Sequence, residues 1–270
     1  MHAALLLALL LLPANVLAAG DVAAVVTDGE LELTGDDTAN VFRVAPAGTP
    51  QSVIVTGLEG TTVNGGTGAL TLNGVISLRL FPGDGDDRIE LQLLDIPDRL
   101  FAKLGRGNDG LILQDVRVRG RASRIRGGAD RDDITVRGFS QFGERLVIGT
   151  GAGPDSVTLT NVGLSRGLRI DTGGSRDAVA LQFCGLAHAE ELLIRTGDGE
   201  DAVTLLGSNF EDDVELELDD GDDDLLVEDC DFDDKFEADG GDGFDEIDFD
   251  GENTFEPLER RRVRDFETLN

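Results

Sequence analysis

At 270 residues and a formal net charge of −31, with 54 Asp+Glu against 23 Lys+Arg, the chain repels nucleic acid phosphates and acidic membrane surfaces rather than binding them. A hydrophobic fraction of 40% supplies a core and argues against wholesale disorder, in one or two domains. Thirteen Phe with no Trp and no Tyr, 36 Gly and only two Lys describe an extracellular, turn-rich acidic scaffold with few aromatic platforms.

Residues 1–19 read as a secretory signal peptide. Ala3 to Leu12 is an unbroken Ala/Leu run, the length of an h-region and too short to span a bilayer. Pro13 breaks it, and Leu17-Ala18-Ala19 offers small residues for cleavage. The expectation is an exported chain, periplasmic, secreted or at the cell surface. No later segment is apolar for 18 residues, so no membrane span is expected in the mature chain.

Residues 20–77 read as an N-terminal cap with degenerate coils. Asp28-Gly29 between Val25-Val26 and Glu30 to Leu33 is a hairpin turn signal. Asn40 to Val44 and Gly68 to Leu72 imitate the repeat described next without its Asp. Terminal repeats of solenoids are atypical because they shield an open core end.

From residue 78 to 256 a Gly-rich turn and an alternating apolar strand recur. The last Asp of each turn marks the period: Asp87, Asp109, Asp132, Asp155, Asp177, Asp201, Asp223 and Asp245, at intervals of 22 to 24 residues. Two residues after each anchor stand Ile89, Leu111, Ile134, Val157, Val179, Val203, Leu225 and Ile247. Four after stand Leu91, Leu113, Val136, Leu159, Leu181, Leu205, Val227 and Phe249; seven before, a column runs from Leu80 to Ala238. Seven after, a looser column holds Leu94, Val116, Phe139, Val162, Cys184, Ser208, Cys230 and Glu252. Such a unit cannot bury its own apolar side, whereas stacked units form a continuous core. The expected fold is all-β: a right-handed parallel β-helix with three short strands per coil and about eight regular coils. Coils stacked at roughly 4.8 Å make a rod about 38 Å long. Sandwiches and propellers would need antiparallel hairpins whose two-residue turns do not recur here.

Cys184 and Cys230 lie two repeats apart in one column. Two coil spacings are roughly 9.6 Å, beyond the Cα separation of about 7 Å that a disulfide tolerates, so both thiols are expected to be free and buried.

The chain ends differently. Gly197 to Pro257 carries 27 Asp+Glu against Lys235 alone, and Arg260-Arg261-Arg262-Val263-Arg264 follows it. In residues 257–270, read as a C-terminal cap or tail, the basic cluster is expected to fold back onto that acidic end, with Val263, Phe266 and Leu269 covering the last coil.

The turns suggest a ligand. Gly83-Asp84-Gly85-Asp86-Asp87-Arg88-Ile89, Gly197 to Val203 and Gly241 to Ile247 follow a Gly-x-Gly-x-Asp-x-apolar pattern. This resembles the hemolysin-type (RTX-like) calcium-binding repeat, in a degenerate form with one turn per 22 residues instead of tandem nonapeptides. The resemblance implies calcium held between stacked turns by the turn Asp and main-chain carbonyls. Its best candidates here are Asp84, Asp86, Asp87, Asp198, Asp201, Asp220, Asp222, Asp223, Asp242 and Asp245. Arg106, Arg131, Pro154 and Arg176 are poor substitutes in the middle turns. Independently, in-register stacking sets like charges about 5 Å apart at roughly 0.8 kcal/mol per pair even in water, and clustered carboxylates suit a cation with six to eight oxygen ligands. Two other readings stay open: diffuse counterions, or Asp and Gly present only for turn geometry.

Catalysis has little support. His188 is the only histidine beyond the leader, and no nucleophile elbow, His-Glu-x-x-His or phosphate-binding Gly-Lys motif is present. The expectation is a non-enzymatic structural or adhesive protein. The rival is a β-helix polysaccharide lyase-like enzyme using Arg169 and Arg195 beside acidic turns. A third possibility is self-association, or binding of cell-surface polymers, through the basic stretch Arg99 to Arg145, where 11 basic residues face six acidic ones.

Overall fold

The computed structural model describes residues 20–187, 191–256 and 260–269, and among these there is no α-helix. The leader at 1–19 and His188 lie outside the described residues. The chain forms a parallel β-helix of about eight turns, each turn adding one strand to each of three sheets of 13, 12 and 8 strands.

The register is the one the periodicity demands. Leu111 pairs with Ile89 on one side and Ile134 on the other, in the 12-stranded sheet. Ile125 pairs with Ala102 and Ile148 in the 13-stranded sheet. These side chains alternate inward, are fully buried, and contribute about 1.5–3 kcal/mol each when large. The 8-stranded sheet is built from two-residue strands such as Arg117–Val118 and Gly163–Leu164, whose inward residues Val118, Phe142, Leu164, Leu186, Phe210 and Phe232 close the third side. Cys184 and Cys230 are buried and unbridged.

The corner from the 12-stranded to the 8-stranded sheet is turned at φ > 0 by the residue six after each anchor: Leu93, Asp115, Asn161, Phe183 and Asp229 lie at φ 52° to 56°, with Gly138, Gly207 and Gly251 filling the remaining coils. Directly after this corner the looser column needs a correction at two places. Phe139 and Glu252 do not face inward; both are exposed, because their coils carry one extra residue at the corner. Ser140 and Asn253 take the inward place, accepting the N–H of Val116 at 3.0 Å and of Cys230 at 2.9 Å. The extra residues are held outside by N–H donation from Phe139 to Asp115 Oδ1 and from Glu252 to Asp229 Oδ1.

The N-terminal segment caps the helix as a set of hairpins. Asp21–Thr27 and Glu30–Thr34 pair antiparallel across Asp28 (φ 49°) and Gly29 (φ 82°). Val41–Pro46 continues the 12-stranded sheet in parallel register with Arg88–Gln92. Leu70–Asn73 does not form a coil as its pattern suggested; it pairs antiparallel with Ser52–Gly57, and the Gly66-Thr67-Gly68 turn before it leads to Leu70 where the anchor Asp would stand.

At the other end Arg261–Arg264 pairs parallel with Phe236–Asp239, and Val263 and Phe266 pack on the core. Leu269 is 63% exposed, its strand being the outermost of the 12-stranded sheet among the described residues. The basic cluster does return to the acidic end. Arg264 pairs with Glu237 at 2.6 Å, Arg260 pairs with Asp234, and the Arg261 guanidinium lies 4.0 Å over the Phe249 ring.

Candidate functional site

The aspartate anchors point inward and form one column. Asp87, Asp109, Asp132, Asp155, Asp177, Asp201, Asp223 and Asp245 are each at most 3% exposed. The backbone N–H of each donates to Oδ1 of the anchor one coil on: Asp132 to Asp155, Asp155 to Asp177, Asp177 to Asp201 and Asp201 to Asp223, each at 2.7 Å. Asn40 N–H starts the column on Asp87 Oδ1, and Glu267 Oε2 ends it on Asp245 N–H. The second oxygen, Oδ2, is buried in all eight and has no hydrogen-bond partner.

Burial is the main influence on these carboxyls. It pushes Asp132 up to about 8, Asp87 and Asp223 up to about 7, and Asp109 and Asp201 up to about 6, against an ordinary value of 3.8. Asp155, Asp177 and Asp245 are raised for the same reason. Accepted backbone N–H bonds oppose the shift, since they favour the ionised form. In three middle coils the hydroxyls of Thr150, Thr172 and Thr196 lie beside Asp155, Asp177 and Asp201. Each hydroxyl donates to the carbonyl of the next coil, at 3.1 Å. A hydroxyl whose proton is so engaged retains lone pairs toward the carboxyl.

The turn glycines have a packing reason as well as a conformational one. A Cβ on Gly105 would sit 1.7 Å from the Gly83 carbonyl oxygen, and one on Gly197 would sit 1.6 Å from that of Gly173. Two residues on, a Cβ on Gly199 would lie 2.1 Å from the Ser175 carbonyl. Both positions have φ > 0, and in-register coils press the carbonyls of one turn onto the α-carbons of the next. Stacking therefore favours the Gly-x-Gly spacing in most coils, while Asp130, Ser175 and Asp219 hold one of the two positions in theirs at φ 73°, 108° and 70°.

The predicted ligand set divides in two. Asp87, Asp201, Asp223 and Asp245 belong to the buried column, whereas Asp84, Asp86, Asp198, Asp220, Asp222 and Asp242 are exposed on the outside of the turns. Asp86 Oδ1 accepts from Asn108 N–H at 2.8 Å and Asp222 Oδ1 from Phe244 N–H at 2.9 Å, so each braces the adjoining turn. Asp84 lies 3.9 Å from Arg106, and Asp220 and Asp242 form a bridge between neighbouring coils. The donor chemistry fits a hard cation: carboxylate oxygens, eight of them buried without a partner, beside stacked turn carbonyls.

The sequence reasoning passed over two features. Asp212, Asp213 and Asp234 bring one carboxylate oxygen each within 4.8 Å of the others at a different corner; Asp212 and Asp234 stand eleven residues after successive anchors, the signal that marks them. Asp109, Asp132, Asp155 and Asp177 complete the column and share the anchor position of the selected residues. The arginines of the rival enzymatic reading are engaged in ion pairs, Arg169 with Asp171 at 3.3 Å and Arg195 with Glu217. No helix among the described residues is long and apolar enough to cross a membrane. Comparison with known proteins finds no matching family model, curated protein or solved structure.

Proposed function

We propose that this is an exported, non-enzymatic β-solenoid that binds calcium along its aspartate-bearing edge and serves as an acidic structural or adhesive element at or beyond the cell surface. The supporting observation is the unbroken column of eight buried carboxyls, each with one oxygen lacking a partner, next to turns that resemble RTX-like repeats. The column residues would take the ion through Oδ2 and the stacked turn carbonyls would complete its shell. Calcium there would neutralise like charges that otherwise face one another at every coil spacing.

A second reading has its own support: the column is a ladder of neutral carboxylic acids. Oδ1 accepts the N–H of the neighbouring coil whether or not Oδ2 is protonated, and the Thr150, Thr172 and Thr196 hydroxyls could accept the Oδ2 protons. Isothermal titration of calcium into the mature chain at pH 8 separates the two. Saturable binding, with a melting temperature raised more than by sodium at equal ionic strength, is expected. Absence of heat together with identical melting curves would leave only the neutral ladder.

A further inference from the structure

The outer face of the 13-stranded sheet holds an unbalanced charge. On most of this face cations meet carboxylates on the same or neighbouring strands: Arg79 with Glu30, Arg195 with Glu217, Lys235 and Arg264 with Glu237. Between them, on Leu100–Arg106 and Ser123–Ala129, cation meets cation. Lys103 is in register with Arg126, and Arg124 lies two residues before Arg126 on the same face. All three are exposed. The next strand lowers the surface, placing Val147 opposite Arg124 and Gly149 opposite Arg126. Arg169 and Asp171 follow opposite Val147 and Gly149. The result is a shallow hollow of about 440 Å³ whose lining includes Lys103, Arg124, Arg126, Gly149 and Arg169. Its only carboxylate, Asp171, is already paired with Arg169.

In a chain with 54 carboxylates and 23 basic side chains, three clustered cations without an ion-pair partner among the described residues call for an external anion. We propose that this hollow binds a linear carboxylate-bearing polysaccharide laid across the strands. The three unpaired cations stand on two adjacent strands, and Arg169, though paired with Asp171, extends the basic strip to the second strand beyond them. The strip is roughly 14 Å from end to end at the inter-strand spacing, a span that a polymer follows and a single small anion does not. Guanidinium forks match carboxylates with two parallel hydrogen bonds. Single-stranded nucleic acid fits less well: its bases seek aromatic stacking surfaces, and the hollow has none. A second copy of this chain cannot use Glu217 and Glu237 on the same sheet face, already engaged by Arg195, Lys235 and Arg264. It could present the exposed Asp198, Asp220, Asp222 and Asp242 of its turns, and sedimentation separates that outcome from the polymer. The acidic turns at the far end lie beyond a screening length of about 10 Å at 0.1 M salt, so they leave the local attraction intact.

The test uses the mature chain and polygalacturonate, with EDTA present so that calcium cannot bridge polymer and acidic turns. Salt-sensitive binding is expected, at least tenfold weaker in a K103Q/R124Q/R126Q variant of unchanged melting temperature and unaltered in R117Q, which removes a cation from another sheet. The polymer should also shield Lys103 from amine acetylation while leaving Lys235 unaffected, a readout that needs no variant. Equal binding to neutral dextran, tighter binding to single-stranded DNA, a triple variant that folds and binds as well as wild type, or an unshielded Lys103 would each overturn the proposal. So would a salt-dependent dimer in sedimentation that the polymer does not dissociate.

Discussion

The backbone N–H of Asp132 donates to Oδ1 of Asp155, one coil on, at 2.7 Å. The same bond recurs from Asn40 to Glu267, so the aspartates are a spine that fixes coil height as well as a store of charge. Each bond uses one oxygen and leaves the other in an interior where an unpaired anion is costly. Fold and candidate ligand chemistry therefore meet in the same atoms.

Stability should fall as pH rises. Asp87, Asp109, Asp132, Asp201 and Asp223 have folded values of about 6 to 8 against an ordinary 3.8, and burial raises Asp155, Asp177 and Asp245 as well. Above about pH 4 the folded chain therefore retains protons that the unfolded chain has lost, and the slope of unfolding free energy with pH is negative. The stabilisation is complete below about pH 4 and is lost as pH passes through 6 to 8. Carboxylates held low by arginine or lysine, such as Glu30 beside Arg99 and Glu237 beside Lys235, act oppositely, but in more acid solution. Melting curves between pH 5 and 8.5 without divalent ions should show a steady decline, and a flat profile would contradict the buried column. Calcium competes with these protons, so its effect on melting should grow with pH and be smallest at pH 5.

Asp132→Asn isolates one rung from the general repulsion of an acidic surface. Asn40 heads the column as an amide, its Nδ2 donating to the Thr38 and Pro82 carbonyls at 2.6 and 3.1 Å. An asparagine at 132 keeps the Oδ1 acceptor for Asp109 N–H and cannot ionise. The variant should match the parent near pH 5 within about 1 kcal/mol and exceed it in melting temperature at pH 8. A loss of stability at pH 8 would mean that ionised Asp132 is the stabilising form, as a resident cation would make it.

How much of this was legible beforehand depended on whether a residue's job repeats. Ile125 and Leu111 announce their inward faces because every coil repeats them. The buried sense of Asp87 was not legible, since an aspartate after Gly-x-Gly reads as a turn residue, and only the stacked N–H donors show why a carboxyl is tolerated inside. Phe139 was misread because one extra residue reverses a period-two pattern, and the corner that absorbs it is marked by positive φ, not by hydrophobicity. The basic stretch Arg99 to Arg145 does not show in sequence which of its arginines are paired. Arg119 and Arg121, in the connection between two sheets, are paired to Asp95 and Asp98, while Arg124 and Arg126 on the following strand face the hollow.

Two glycines with the same φ of 85° separate conformation from close approach. Gly48 has nothing within 4 Å of an added Cβ, whereas at Gly197 the Gly173 carbonyl oxygen would be 1.6 Å away. Gly48→Ala should cost about 1–2 kcal/mol, the penalty for an L-residue in this region. Gly197→Ala must also spread two coils apart and should cost roughly 3 kcal/mol or more, as large losses require a named steric cause. Chemical denaturation of both variants gives the comparison, and equal losses would refute carbonyl-on-glycine stacking as the origin of the motif.

Leu93 and Phe183 occupy the left-handed corner at φ 55° and 54°, where other coils use Asn161, Asp115 or glycine, and they are 64% and 56% exposed. A bulky side chain gains little burial there and bears the conformational penalty, whereas asparagine adopts this region readily. Leu93→Asn and Phe183→Asn should therefore each raise stability by about 0.5–1 kcal/mol. The gain should be smaller for Phe183, because its ring covers Gly207, where an added Cβ would meet it at 2.7 Å. Since the two corners stand four coils apart, the double variant should show the sum of the single effects. A loss of stability at both sites would mean that these exposed apolar side chains contribute more through contact than their corners lose through backbone strain.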